Sequence, residues 1–185
     1  MKTTHQLSQD HLVILRGLEV LKAAAVSWKT NPLGNDEDCR AVLDFLKTFA
    51  DRCHHGKEER VLFPRLMELG IPVDDGPLGV MLYEHDQARL LIRNMEDAAE
   101  NQHPSDFALY AHRYADLLEG HIAKEDNILF RRAESLLSAE DDNALFQRFD
   151  EIENEMGADT HANFHRLLAK LAARYLQEPV VAKAD

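Results

Sequence analysis

The chain reads as all-α: an up-down-up-down four-helix bundle over residues 1–137, a C-terminal two-helix extension over 138–178, and a loose tail over 179–185. Three observations predict this. Apolar residues recur every three or four positions through long stretches, which is helical periodicity. Glycine (8) and proline (6) are scarce and fall mostly between those stretches. At 185 residues the chain is long enough to bury a sizeable core in one domain without disulfides.

Helix one spans about Thr4 to Lys29, with Leu7, His11, Leu15, Leu18, Leu21, Ala25 and Trp28 on one stripe. Asn31-Pro32-Leu33-Gly34-Asn35 stops it, and Asp36 is positioned to cap the next helix. Helix two runs to about Leu69 through Val42, Leu43, Leu46, Phe49, Ala50 and Cys53, with Pro64 expected to kink it or end it early. After a Gly/Pro loop, Pro77 suits a first helical turn. Helix three covers Leu78 to Asn101 and presents Met81, Leu82, His85, Ala88, Leu91, Ile92 and Met95. His103-Pro104 breaks the chain, Ser105 is expected to cap, and helix four continues to about Leu137. Ser138 and Asp141 have capping-box spacing and open a fifth helix that Gly157 ends. A last helix spans about Asp159 to Gln177.

A formal charge of −12 and a pI near 5.2 exclude a basic nucleic-acid interface and an anionic membrane surface as partners. No stretch approaches the ~20 apolar residues of a membrane span, and the opening residues carry no signal-peptide run. The expected setting is cytoplasmic, with Cys39 and Cys53 as reduced thiols. Cys53, beside His54, reads as a small buried apolar residue rather than a ligand.

One motif occurs twice. His54-His55-Gly56-Lys57-Glu58-Glu59-Arg60-Val61-Leu62-Phe63 aligns with His121-Ile122-Ala123-Lys124-Glu125-Asp126-Asn127-Ile128-Leu129-Phe130, sharing His, Lys, Glu, Leu and Phe. In each a carboxylate follows an imidazole by four positions, on one face of an α-helix and a turn away. His11 and His85 lie on the apolar faces of helices one and three. At 1.5 Å per residue, the four histidines fall within roughly 15 Å of one another along the bundle. Buried imidazoles and carboxylates are costly unless paired or metal-bound. His11, His54, Glu58, His85, His121 and Glu125 therefore form the expected ligand set. Its nitrogen and oxygen donors suit iron, manganese or zinc. Six ligands exceed one tetrahedral zinc, so a dinuclear centre follows.

The order His11, His54-x-x-x-Glu58, His85-x-x-x-Arg89, His121-x-x-x-Glu125 resembles the hemerythrin-like, or HHE cation-binding, family over about His11 to Phe130. The resemblance implies two iron ions, an oxo or hydroxo bridge, and glutamates spanning the irons. It implies a small-ligand partner: O2, NO or peroxide. Oxygen-carrying hemerythrins have a second third-helix histidine where this chain has Arg89, and an aspartate five after the fourth-helix histidine where this chain has Glu125 at four. Arg89 cannot ligate while protonated, so one iron is expected to lack a donor. His55 and Asp86, each beside a ligand, point about 100° away on an α-helix and reach the metal only with local adjustment.

Binding or sensing of a small ligand is the leading functional reading. Within the wider family, peroxide or NO detoxification and iron–sulfur repair are enzymatic alternatives, and a metal-stapled structural bundle is a third reading. The C-terminal extension is expected to pack on the metal end. His161 and His165, an i, i+4 pair there, read as packing or surface residues rather than ligands. His5, His103 and His112 read as solvent or loop residues. Glu-x-x-His ferritin ligation, His-Glu-x-x-His, Cys-x-x-Cys-His and Gly-rich phosphate loops are not supported.

Overall fold

The computed structural model describes residues 1–32, 36–157 and 159–176. Leu33-Gly34-Asn35 of the first expected loop and the expected tail lie outside them. Most of the described residues are helical and none is in a strand; they form four long rods and two shorter helices. The first rod is α1 (Lys2–Thr30). The second is continuous but changes register. It joins α2 (Asp36–Phe45), the π-helical stretches π1 (Leu46–His55) and π2 (Glu58–Leu62), and α3 (Phe63–Glu68). The third rod is α4 (Pro77–Glu100), with Pro77 in its first turn as expected. The fourth joins α5 (Pro104–Lys124), π3 (Glu125–Leu129) and α6 (Phe130–Leu136). Then come α7 (Ala139–Glu155) and α8 (Thr160–Tyr175).

Three local expectations need correction. Pro64 neither ends nor interrupts the second rod. It sits in the first turn of α3, just after π2, where the Phe63 N–H donates to the Glu58 carbonyl. A proline strains a helix through its missing N–H and its clash with the carbonyl four back, and the wider π turn provides room for both. Ser105 is not a cap: α5 begins at Pro104 with His103 preceding it, because proline itself suits a first turn. Asp36 lies inside the first turn of α2 rather than before it, where its charge still favours the helix N-terminus. The capping box is present: the Ser138 side chain accepts from the Asp141 N–H, and the Asp141 carboxylate accepts from the Ser138 N–H.

Two apolar clusters fill the bundle. The upper one packs α1, α2, α4, α5 and α8 around Trp28, Phe45, Phe49, Phe107 and Tyr114. Gly17 allows the close crossing of α1 and the second rod, since a Cβ there would lie 2.3 Å from the Phe45 ring. The lower cluster joins Leu7, Leu62, Phe63, Leu66, Phe130 and Phe149, so α7 covers that end. On every rod the buried histidines and glutamates fall between the two clusters: His11 between Leu7 and Ile14, and His85 between Met81 and Ala88. The carboxylate of Asp142 on α7 accepts from the Lys2 and Thr3 N–H groups and the Thr3 hydroxyl at 3.0, 3.1 and 2.6 Å. It thereby caps α1, which has no side-chain cap of its own. Gly157, at φ +92°, ends α7, and α8 returns along α1 and α2, where Tyr175 donates to Asp38 at 2.7 Å.

Candidate metal centre

The two repeated motifs share a backbone deformation as well as residues. π2 begins at Glu58 and π3 at Glu125, and each wide turn closes with an N–H donated from the phenylalanine five positions on. Such turns cost hydrogen-bond geometry and occur mostly at functional sites. Here they turn the two glutamates inward, leaving both carboxylates without solvent exposure.

All six expected residues meet in one belt. Glu58 spans it, with Oε1 3.5 Å from His54 Nε2 and Oε2 3.4 Å from His85 Nε2. Glu125 Oε2 lies 3.2 Å from His11 Nε2 and 3.3 Å from His121 Nε2. His85 Nε2 and His121 Nε2 face each other at 3.1 Å.

A seventh residue joins them. His55 is buried, its ring stacked on His85 with centroids 3.8 Å apart. On an α-helix its side chain would diverge from that of His54. Within π1 the pitch is wider, and both rings enter the centre. His55 thus adds a fifth imidazole to the belt. The donors sort into two groups, His55/Glu58/His85/His121 and His11/His54/Glu58/Glu125. In each group one donor atom per residue lies within 4.8 Å of the others, and Glu58 belongs to both.

A carboxylate faces Nδ1 of each imidazole, hydrogen-bonded to it in four of the five and at ion-pair distance only for His54. Asp126 lies 3.0 Å from His11, Asp10 3.5 Å from His54, and Asp51 3.3 Å from His55. Glu59 lies 2.6 Å from His85 and Glu84 3.0 Å from His121. An ionised carboxylate only accepts, so a ring bonded to one carries a proton on Nδ1, and wherever that ring is neutral Nε2 keeps a lone pair for a metal. The pattern is internally two-fold. Asp10-His11 on α1 corresponds to Glu84-His85 on α4. The lysine of each repeat binds the acid serving that repeat's own histidine: Lys57 with Asp10 at 2.9 Å, and Lys124 with Glu84. The acid after Glu58 and the acid after Glu125 each serve the histidine of another rod.

His55 and Arg89 break this symmetry together. Arg89 donates from Nε to Asp51 at 2.8 Å and from Nη2 to Glu59 at 2.7 Å. It fixes the acids behind His55 and His85, acting through them rather than as a ligand. Asp86 is exposed and paired with Arg89 at 3.3 Å. His165 and His112 are exposed, and His161 does not enter the belt.

The inner donors fit cations. His11, His54 and His55 Nε2 and all four glutamate oxygens are buried without a hydrogen-bond partner, an arrangement that costs free energy unless a cation sits among them. Burial, and then the neighbouring Glu125 charge, push Glu58 well above the usual carboxylate range. Two close carboxylates resist joint ionisation without a cation between them. Burial also lowers His54 to about 4, with Asp10 opposing. Burial, with the charge of His85, holds His55 well below the ordinary imidazole value. Both rings are therefore neutral, as metal ligation requires. Burial acts the same way on His11, but Asp126 and Glu125 outweigh it and raise that group to about 10.

A family model, the hemerythrin HHE cation binding domain, matches residues 2–133. The chain belongs to that family. No curated protein and no solved structure matches it. The matched span takes in all four rods of the HHE domain up to α6 and ends before α7. As a member, the protein is a cation-binding helical protein, and the buried His/Glu belt is where its HHE domain can hold the cation. Among the described residues no helix is long and apolar enough to cross a membrane.

Proposed function

We propose that the protein is a non-haem di-iron protein whose centre binds a small diatomic or peroxide ligand. One observation carries this: imidazoles from four rods, four of the five hydrogen-bonded at Nδ1 to a carboxylate, converge with two buried carboxylates that can bridge. His11 and His54 would hold one ion and His55, His85 and His121 the other, with Glu58 and Glu125 shared. Oxygen and nitrogen donors without thiolate favour iron over softer-ligand metals. When bound, iron supplies reversible redox chemistry and a Lewis-acidic position for a small ligand. Five imidazoles and two shared carboxylates would hold the pair and leave room for one small ligand.

The protein's own residues exclude water and hold protons. Phe63 and Phe130 pack against His85 and His11 with centroids 5.9 and 5.4 Å apart, and the two apolar clusters close the belt above and below. A dry belt strengthens charge interactions inside it. The reduced thiols of Cys39 and Cys53 support a cytoplasmic setting as part of this reading.

The test is to expose anaerobically reduced protein to oxygen or nitric oxide. A charge-transfer band that forms and reverses on degassing supports ligand binding. Rapid oxygen evolution from peroxide would replace this reading with an enzymatic one. Full folding with zinc, and no response to any of these ligands, would leave a structural staple.

A further inference from the structure

Outside the belt, Cys53 on π1, Glu153 on α7 and His161 on α8 converge from three separate elements. Cys53 Sγ, 1% exposed, lies 3.8 Å from His161 Nε2, which lies 3.9 Å from Glu153 Oε1. All three donor atoms fall within 4.8 Å of one another. The His161 ring is set edge-on against Phe49 with centroids 4.9 Å apart, and this contact directs Nε2 at the thiol. Lys57 at 2.5 Å and Gln6 at 2.7 Å both donate to Glu153 Oε1, the oxygen that also faces His161.

We propose that Cys53, Glu153 and His161 form a second, mononuclear site for a borderline divalent cation of the zinc or cobalt class, with water completing a tetrahedron. Zinc bonds thiolate sulfur at about 2.3 Å and imidazole nitrogen at about 2.0–2.1 Å, which places tetrahedral sulfur and nitrogen donors about 3.5 Å apart. The observed 3.8 Å therefore needs a shift of only a few tenths of an ångström. Charge closes as well. Lys57 faces Asp10 and Glu153, one ammonium against two carboxylates. A divalent cation and the Cys53 thiolate bring that sum to zero. On binding, a metal–sulfur bond forms, the S–H bond breaks and its proton leaves to solvent, with no change of oxidation state. Lys57 remains the outer partner of Glu153, as other outer groups orient ligating carboxylates.

The cation would tie α7 and α8 to the second rod one residue from His54. His161 and Glu153 are about a third exposed (32% and 28%), so the site is reachable from solvent while the belt is not. It stands or falls independently of what the di-metal centre binds.

The experiment titrates the purified, metal-loaded protein with Co2+ and records near-ultraviolet difference spectra. The belt contains no sulfur, so a thiolate-to-cobalt charge-transfer band reports this site. The expected result is a saturable band at one equivalent, displaced by Zn2+, absent in Cys53→Ser, weakened at least tenfold in His161→Ala and retained in Cys39→Ser. His161 is a partly exposed residue outside both apolar clusters, so His161→Ala is decisive even if Cys53→Ser folds poorly. No band in the wild type, or a band that survives His161→Ala unchanged, would overturn the proposal.

Discussion

Replacing Arg89 by glutamine removes one guanidinium that holds two acids, Asp51 at 2.8 Å and Glu59 at 2.7 Å. As a partly exposed ion pair (Arg89 28%, Asp51 22%, Glu59 25% exposed) it would be worth at most about 1 kcal/mol of fold stability. Its position predicts a different effect. Asp51 and Glu59 orient His55 and His85, which in the proposed di-iron centre would hold one ion, and loss of an outer partner typically costs about 10–100-fold in metal affinity. Two imidazoles are loosened together, so the upper half of that range is expected, roughly 2–3 kcal/mol at about 1.4 kcal/mol per tenfold. The acids behind His11 and His54, namely Asp126 and Asp10, do not touch Arg89 and should be unaffected. Dialysis of iron-loaded Arg89→Gln against graded chelator should strip one ion early and release the other at the wild-type chelator level. Arg89→Lys, which keeps the charge but not the fork, should fall between. Loss of both ions together, or a change in melting temperature with metal affinity untouched, would refute the argument.

Glu58→Ala and Glu125→Ala should each sharply lower metal content, while exposed His112→Ala should retain it; elemental analysis of the three proteins checks this. Gly17→Ala should destabilise the fold by about 1–3 kcal/mol through overpacking against Phe45, read as a lower denaturant midpoint. A neutral result would mean that α1 and the second rod separate freely. Asp142→Asn should cost about 1–3 kcal/mol by weakening the cap on α1. Burial alone would raise the Asp142 carboxyl, but the Thr3 hydroxyl and the backbone N–H groups lower it below its ordinary value. Its contribution is therefore complete above about pH 4 and lost as pH falls through the depressed folded value. The wild type should lose more stability on acidification than Asp142→Asn, and parallel pH–stability curves would contradict this.

Much of the centre is legible in the residues themselves. His-x-x-x-Glu places two donors on one helical face whatever the tertiary structure, and the apolar stripes carrying His11 and His85 set their depth. His55 was not legible, because a 100° divergence from His54 presumes α-helical pitch, and π1 is a tertiary choice without a periodic signature. A hint was present: a doubled histidine in the chain whose third rod carries Arg89 in place of a ligand. The acids behind the histidines had a clearer signal. Asp10-His11 and Glu84-His85 repeat an acid–imidazole pair on matching rods, and Glu58-Glu59 and Glu125-Asp126 repeat a doubled acid. Their roles depend on contacts between rods, which spacing within one helix does not report. Pro64 shows the same limit, since a wide turn before it accommodates a ring that an α-helix would not.

Iron K-edge absorption on freshly purified protein, with metal counted per chain, tests the central claim most directly. A di-iron belt gives two irons per chain, an outer-shell metal–metal vector, and the multiple scattering of about five imidazoles without sulfur in the first shell. In His55→Leu one imidazole fewer is expected, with the metal–metal vector weakened. One iron per chain, or a His55→Leu spectrum identical to the wild type, would contradict it.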